Sequence, residues 1–168
     1  MKKLILIALI LTPFITACQT NSKNLNTNKT EEEKNEIIAS QFYNDVINKG
    51  DSSVMKLIMA EDFIDHNATQ KQPTGITDFK QFLKMISTAF PDIQVKVEDM
   101  ISENDKVVVR ITVSGTQTGL FMGKISASGK YAVWNGIDIF KIENGKITER
   151  WSQRDLLSLM RQIGALPN

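Results

Sequence analysis

The residue with the strongest claim to chemistry is Asp138, within Trp134-Asn135-Gly136-Ile137-Asp138-Ile139-Phe140. Strand alternation puts Trp134, Asp138 and Phe140 on one face, and Val133, Ile137 and Ile139 on the other. A carboxylate between two aromatic rings is poorly solvated, so its proton affinity should rise, which suits a general base. The competing expectation is an ion pair with Arg110 or Arg150 in or across the sheet. His66, the only histidine, sits in Asp65-His66-Asn67 and has the one side chain with an unperturbed pKa near neutral. It is either a second acid/base group at a pocket mouth or an ordinary loop residue. Arg110 shares a strand face with Thr112 and Ser114, which either lines a pocket or meets water. Ser152-x-x-Asp155 before Leu156-Leu157 reads as a helix cap on Ser152, with Asp155 also able to reach a pocket rim. Trp134, Trp151 and Phe63 supply apolar wall or core. His, Asp and Glu do not recur at metal-ligand spacing, so no metal is expected. The sequence has no Gly-x-Gly-x-x-Gly, phosphate loop or nucleophile elbow.

Helices and strands must position these groups. Thr30-x-x-Glu33 is a capping box, and Ile38, Phe42 and Val46 follow at helical spacing. Gly50 ends that helix. Asp51 caps a second one carrying Val54, Leu57 and Ile58. Phe63 to Pro73 reads as a loop, and a third helix carries Phe79, Phe82, Leu83, Ile86 and Phe90 before Pro91. The period then switches to that of strands: Ile93, Val95 and Val97, then Val107 to Val113, then Tyr131 to Ile142. Gly115, Gly119, Gly123 and Gly129 signal bends in between. Asn144-Gly145 is a hairpin turn, and Ile147 to Trp151 returns antiparallel. A short helix from Asp155 to Ile163 ends at Gly164. Helices first and antiparallel strands after predict an α+β domain, with helices on one face of a strongly curved sheet and a pocket in its hollow.

The start of the chain carries a different signal. Lys2 and Lys3 precede an apolar run, Leu4 to Leu11, too short to span a bilayer. Ile15-Thr16-Ala17-Cys18 resembles the lipobox of bacterial lipoproteins. That resemblance implies a signal peptide over 1–17, a lipidated Cys18 and export to the cell envelope. Gln19 favours the outer membrane, facing the periplasm, in a cell that has one. Cys18 is the only cysteine, so the chain forms no internal disulfide. The Asn-, Thr-, Ser- and Lys-rich stretch up to Thr30 buries too little apolar surface to order itself, and is read as a tether over 18–30. A single domain over 31–168 remains. Losing Lys2 and Lys3 takes the formal charge from +1 to −1. That near-neutral balance argues against a nucleic-acid partner and makes the lipid, not a basic patch, the expected membrane link.

Read in order, Phe90-Pro91-Asp92-Ile93, Val107 to Arg110, Gly115-Thr116-x-Thr118-Gly119-x-Phe121-x-Gly123, Gly136-Ile137-Asp138-Ile139-Phe140-x-Ile142-x-x-Gly145-Lys146-Ile147 and Glu149-Arg150-Trp151-x-x-x-Asp155 resemble the SnoaL-like polyketide cyclases, or ester cyclases. The likeness runs from Glu36 to Pro167. It implies a cone-shaped, nuclear-transport-factor-two-like α+β barrel, often dimeric through its sheet, with a pocket for a small, largely apolar carbonyl compound. It also implies ring closure by intramolecular aldol condensation without metal or cofactor, using an aspartate and a nearby histidine. The resemblance places the family's catalytic aspartate on Ser152 and its histidine on Asp138. A serine hydroxyl is no base on its own, so Asp138 is expected to supply the carboxylate from the neighbouring strand. The same pocket without chemistry, in a lipid-tethered binding module, is the alternative, and an envelope protein that pairs through its sheet is a third.

Overall fold

The computed structural model describes residues 29–66 and 75–167. The expected leader, the expected lipidation site Cys18 and the expected tether up to Asn28 lie outside the described residues. No described helix is long and apolar enough to cross a membrane.

Helix α1, Glu31–Gln41, opens with the capping box: Thr30 and Glu33 each accept the other's backbone N–H. The chain then widens into a π-helical segment, Phe42–Ile47, and this extra width lets Phe42 and Tyr43, adjacent in sequence, both turn inward. Such segments are rare and tend to mark functional sites. Asp51 caps α2, Ser52–Ile58, through the N–H groups of Ser53 and Val54. Its buried residues are Met55 and Ile58, whereas Leu57, expected to face inward, points to solvent at 70% exposure. Helix α3, Ile76–Ala89, buries Ile76, Phe79 and Ala89.

The sheet comprises β1, Met59–Asp65, β2, Gln94–Glu103, β3, Lys106–Thr116, β4, Tyr131–Glu143, and β5, Lys146–Arg154, in the order β1-β5-β4-β3-β2. Strand β1 runs parallel to β5 and the other pairs are antiparallel. The expected α+β architecture, helices on one face of a curved sheet, holds, with the sheet mixed and its edges at β1 and β2. One expectation is corrected: Phe63 to Asp65, read as the start of a loop, belong to strand β1. Met-Ala-Glu-Asp-Phe-Ile-Asp has weak β character, and only pairing with β5 makes it a strand. Register shifts in β1–β5, β2–β3 and β4–β5 provide the bends that curve such a sheet. Asn144 (φ 51°) and Gly145 (φ 74°) both take the left-handed conformation of a type I′ hairpin. Helix α4, Leu156–Gln162, follows β5 and ends at Gly164, φ 78°.

The helices cover one face of the sheet. There Phe42 meets Phe140 at 5.0 Å and Phe79 at 5.8 Å, Phe63 meets Phe79 at 5.2 Å, and Phe90 meets Trp134 at 5.3 Å between ring centroids. Val107, Val109, Ile111 and Val113 of β3 complete this inner face. The alternation expected for β4 holds, with Ala132, Trp134, Asp138, Phe140 and Ile142 inward. Each buried aromatic or aliphatic side chain contributes about 1.5–3 kcal/mol.

Candidate functional site

Within this apolar face lies a polar cluster. Asp138 is fully buried. Its Oδ2 accepts from the Tyr43 hydroxyl at 2.5 Å and from Arg154 Nη2 at 2.8 Å. Tyr43 comes from the π-helical segment and Arg154 from the last position of β5. Gly136 makes the second contact possible. It lies opposite Arg154 in the sheet, and a Cβ there would meet Arg154 Cδ and Nη1 at 2.7 Å and the Gln153 carbonyl oxygen at 2.9 Å. A Gly136→Ala variant is therefore expected to push Arg154 off Asp138. It should lose about 1–3 kcal/mol in urea unfolding, the usual range for overpacking.

Beside this trio, Arg150 Nη2 bonds Asp65 Oδ2 at 2.5 Å. The Arg150 guanidinium lies 4.7 Å from the centroid of the Phe79 ring and 5.7 Å from that of Phe42. Both ions are at most 6% exposed. The cluster thus holds two carboxylates and two guanidiniums. Burial by itself would raise the Asp138 pKa. The charges of Arg150 and Arg154 and the hydrogen bonds from Arg154 and Tyr43 outweigh it and hold the carboxyl below its usual value. The expected upward shift is thereby corrected, because Arg154 bonds the carboxylate directly and the charge of Arg150 adds to it. Burial, reinforced by Asp138, pushes the Tyr43 hydroxyl well above its usual value, so it stays a donor. Two atoms keep unused capacity: Asp138 Oδ1, an acceptor, and Arg150 Nε, a donor, are buried without a hydrogen-bond partner. Native structures seldom leave such groups unmatched, and a ligand or ordered water is the usual answer.

Asp138 is paired across the strands with Ser152, which is also buried. Ser152 is a residue of β5 and not a helix cap, contrary to the reading above. Asp155 takes the cap, accepting from Ser158 N at 2.9 Å, because the strand runs three residues further than its apolar pattern. Asp155 is exposed and engaged at the helix start, not in the polar cluster. His66 is corrected as well. It stacks on Trp151 at 4.4 Å with the rings nearly parallel, and its Nε2 lies 2.7 Å from Glu149 Oε2. Trp151 and Glu149 alternate with Arg150 and Ser152 along β5, so His66 stands on the outer face, away from Asp138. The His66 bond, against some burial, together with Lys141, holds Glu149 below the usual carboxylate value. Arg110 is exposed on the outer face of β3, since Val109 and Ile111 take the inward positions, and so lines no inner pocket. Phe63 and Trp134 are inner core.

Sequence reasoning offers Tyr43 only as an aromatic of the core or a pocket wall, and singles out neither Asp65 nor Arg154. Continuing the alternation of β5 past Trp151 brings Arg154 inward beside Ser152. Tyr43 and Asp65 carry no such signal, because a π-helical register and a weak edge strand hide which way they point.

A cation is poorly suited to carboxylates already facing two guanidiniums, and among the described residues no three His, Cys, Asp or Glu side chains gather at ligand distance. An open groove of about 610 Å³ runs over the outer face and the β2 edge, lined in part by Gln94, Lys96, Thr112, Ser114 and Tyr131. It contains no member of the inner cluster.

An inner polar cluster under helices on a five-stranded mixed sheet is the frame of the nuclear-transport-factor-two-like fold, and the chain belongs to the SnoaL-like polyketide cyclase family, which it matches over residues 37–163. Among solved structures it resembles TsrD from Streptomyces laurentii, at 30% identity over 82% of this chain and 100% of that one, with a TM-score of 0.73. A candidate SnoaL-like polyketide cyclase from Jannaschia sp. CCS1 shares 25% identity over 83% of this chain and 99% of that one, TM-score 0.75. A candidate polyketide cyclase from Bacillus cereus shares 26% over 82% and 87%, TM-score 0.69. Comparison with curated proteins gives no match.

Proposed function

We propose that this protein is an exported SnoaL-like lipoprotein. It acts on a small, largely apolar carbonyl compound by cyclase-like acid/base chemistry, with Asp138 as the acid/base group. The observation that carries the reading is the position of Asp138. It stands directly across from Ser152, where the resemblance puts the family's aspartate, and its Oδ1 is buried without a hydrogen-bond partner. In the proposed step Oδ1 takes a proton from the carbon next to a substrate carbonyl. Arg150, with its free Nε–H, holds the resulting enolate oxygen. The enolate carbon then attacks a second carbonyl of the same molecule, a carbon–carbon bond forms, and Asp138 returns its proton to the new alkoxide. This chemistry calls for no cofactor.

The leader and lipobox support anchoring through Cys18 at the envelope, on the periplasmic side of the outer membrane in a two-membrane cell. Tyr131, Val133 and Ile137, exposed on the outer face of β4, support a homodimer formed through the sheet.

A second reading, a binding module without chemistry, is favoured by the lowered proton affinity of Asp138, which weakens it as a base. Deuterium exchange separates the two. Small keto esters incubated in heavy water with wild type are expected to exchange their α-protons at least about a hundredfold faster than with Asp138→Asn, the usual contribution of a general base. Equal exchange, with the keto ester still bound, leaves the binding module.

A further inference from the structure

The loop from Gln117 to Lys130, between β3 and β4, is a rigid prong. Gln117 is fully buried. Its amide donates to the carbonyls of Gly119, Ile125 and Ser126 at 3.1, 3.3 and 3.0 Å and accepts from Ser128 N at 3.0 Å. The N–H groups of Thr118 and Gly119 donate to the Ala89 carbonyl, seating the loop on the last turn of α3. The approach is so close that a Cβ on Gly119 would lie 2.1 Å from the Thr88 oxygen. Phe121 and Ile125 exchange both backbone hydrogen bonds at 2.9 Å, leaving Met122-Gly123-Lys124 at the tip.

What the prong displays is unusual. Among the described residues, three non-glycine positions have positive φ: Asn104, Met122 and Asn144. Met122 and Gly123 (φ 69°) are the central pair of a tight turn closed by Lys124 N–H on the Phe121 carbonyl, and the turn holds the Met122 side chain at the tip of the prong. Met122 is 49% exposed and Leu120 53%. One helical turn before Ala89 stands Met85, and before it Phe82, each 38% exposed. The loop and the elements it meets carry exposed cations: Lys124 at the turn, Lys130 at the foot of the loop beside Gly164, Lys84 next to Met85 on α3, and Arg161 in the last turn of α4. Asp92, at the same end, is engaged by Thr116 N and Oγ1 at 2.6 and 2.7 Å.

We propose that this end of the domain docks on an anionic lipid bilayer, with Leu120 and Met122 entering the headgroup region and Lys84, Lys124 and Lys130 on the phosphates. Apolar tips among lysines fit a fluid, anionic interface. The opposite end of the domain carries both signs, with Glu31 paired to Lys34, Asp105 to Lys106 and Glu143 to Lys141, and so offers the same surface no net attraction. Thr30 starts at that far end, since Asn35 bonds the Asn104 carbonyl in the β2–β3 turn. The length of β3 separates the two ends by about 35 Å. The twelve residues from Cys18 to Thr30 reach up to about 40 Å when fully extended, so the prong meets the membrane that holds the anchor with the tether drawn nearly taut or the domain tilted. The proposal rests on the lipid-anchor reading for this placement.

The test uses the full chain, processed in cells and reconstituted into vesicles of phosphatidylglycerol and phosphatidylethanolamine. Met122→Cys carries an environment-sensitive fluorophore in one sample. Leu57→Cys, on α2 at the far end, carries it in another. Mass spectrometry shows whether Cys18 is acylated. In acylated protein the label at 122 is expected to shift to the blue and be quenched by lipid-chain nitroxides severalfold more than the label at 57. The effect should vanish with Lys84→Glu/Lys124→Glu and in phosphatidylcholine vesicles. Equal, water-like signals at both sites overturn the proposal, as does protection of 122 in native membranes but not in vesicles, which points to a protein partner. If Cys18 is not acylated, the anchor reading fails on its own. Docking is then read from sedimentation with the anionic vesicles: Lys124-dependent pelleting supports it and no pelleting overturns it.

Discussion

An Asp138→Ala variant is expected to lose about 3–5 kcal/mol of folding stability, the usual consequence of removing one partner from a buried ionic cluster. Arg154 and the Tyr43 hydroxyl both give up their acceptor, and Arg150 loses the second of its two nearby carboxylates. Asp138→Asn keeps the volume and one acceptor oxygen, so it should lose less. The two variants share a pH signature. Because the native pKa of Asp138 is lowered, its contribution is fully present above the unfolded value of about 3.9. The contribution fades as pH falls through the lower native value, since the unfolded chain takes up the proton first. Urea unfolding from about pH 3 to about pH 6 should therefore show wild type losing stability at the acid end. Both variants should show a flatter profile there. A wild-type-like acid slope in Asp138→Asn contradicts the charged cluster described here.

Arg150→Ala is expected to cost a similar amount, about 3–5 kcal/mol. Arg150 is 4% exposed, serves Asp65 directly and Asp138 through space, and covers the Phe79 ring. Its removal leaves both carboxylates in an interior with less positive charge, so the Asp138 pKa should also rise. The double variant Asp65→Ala/Arg150→Ala should lose clearly less than the sum of the single variants, as residues sharing one buried pair do. Strict additivity in denaturant unfolding would mean that the pair is not coupled.

The parts of this fold that a reader of the sequence can see are those where local chemistry and tertiary packing agree. Thr30-x-x-Glu33 caps a helix because both reciprocal bonds lie within one turn. Asn144-Gly145 makes a hairpin because both positions need positive φ. The inward placement of Asp138 follows from strict alternation along thirteen residues of β4. What stays hidden depends on distant partners. Strand β1 exists through β5, so His66 and Asp65, read as loop, fall on opposite faces, and the histidine leaves the site it was expected to join. Ser152 and Asp155 look like one capping motif, yet β5 extends to Arg154 because Gly136 clears a path for that side chain on the neighbouring strand. The sign of the Asp138 shift is likewise set by cations whose positions depend on cross-strand register and not on neighbours in sequence.

The central claim is that Asp138 keeps an oxygen for a small molecule. The direct measurement is a high-resolution crystal structure of the protein purified from its native host with whatever compound it carries. The account predicts density for a small molecule in the interior, with its carbonyl or hydroxyl group within hydrogen-bond distance of Asp138 Oδ1 and Arg150 Nε. Oδ1 bonded only to protein groups, with the interior filled by side chains and any bound compound held elsewhere, would contradict it.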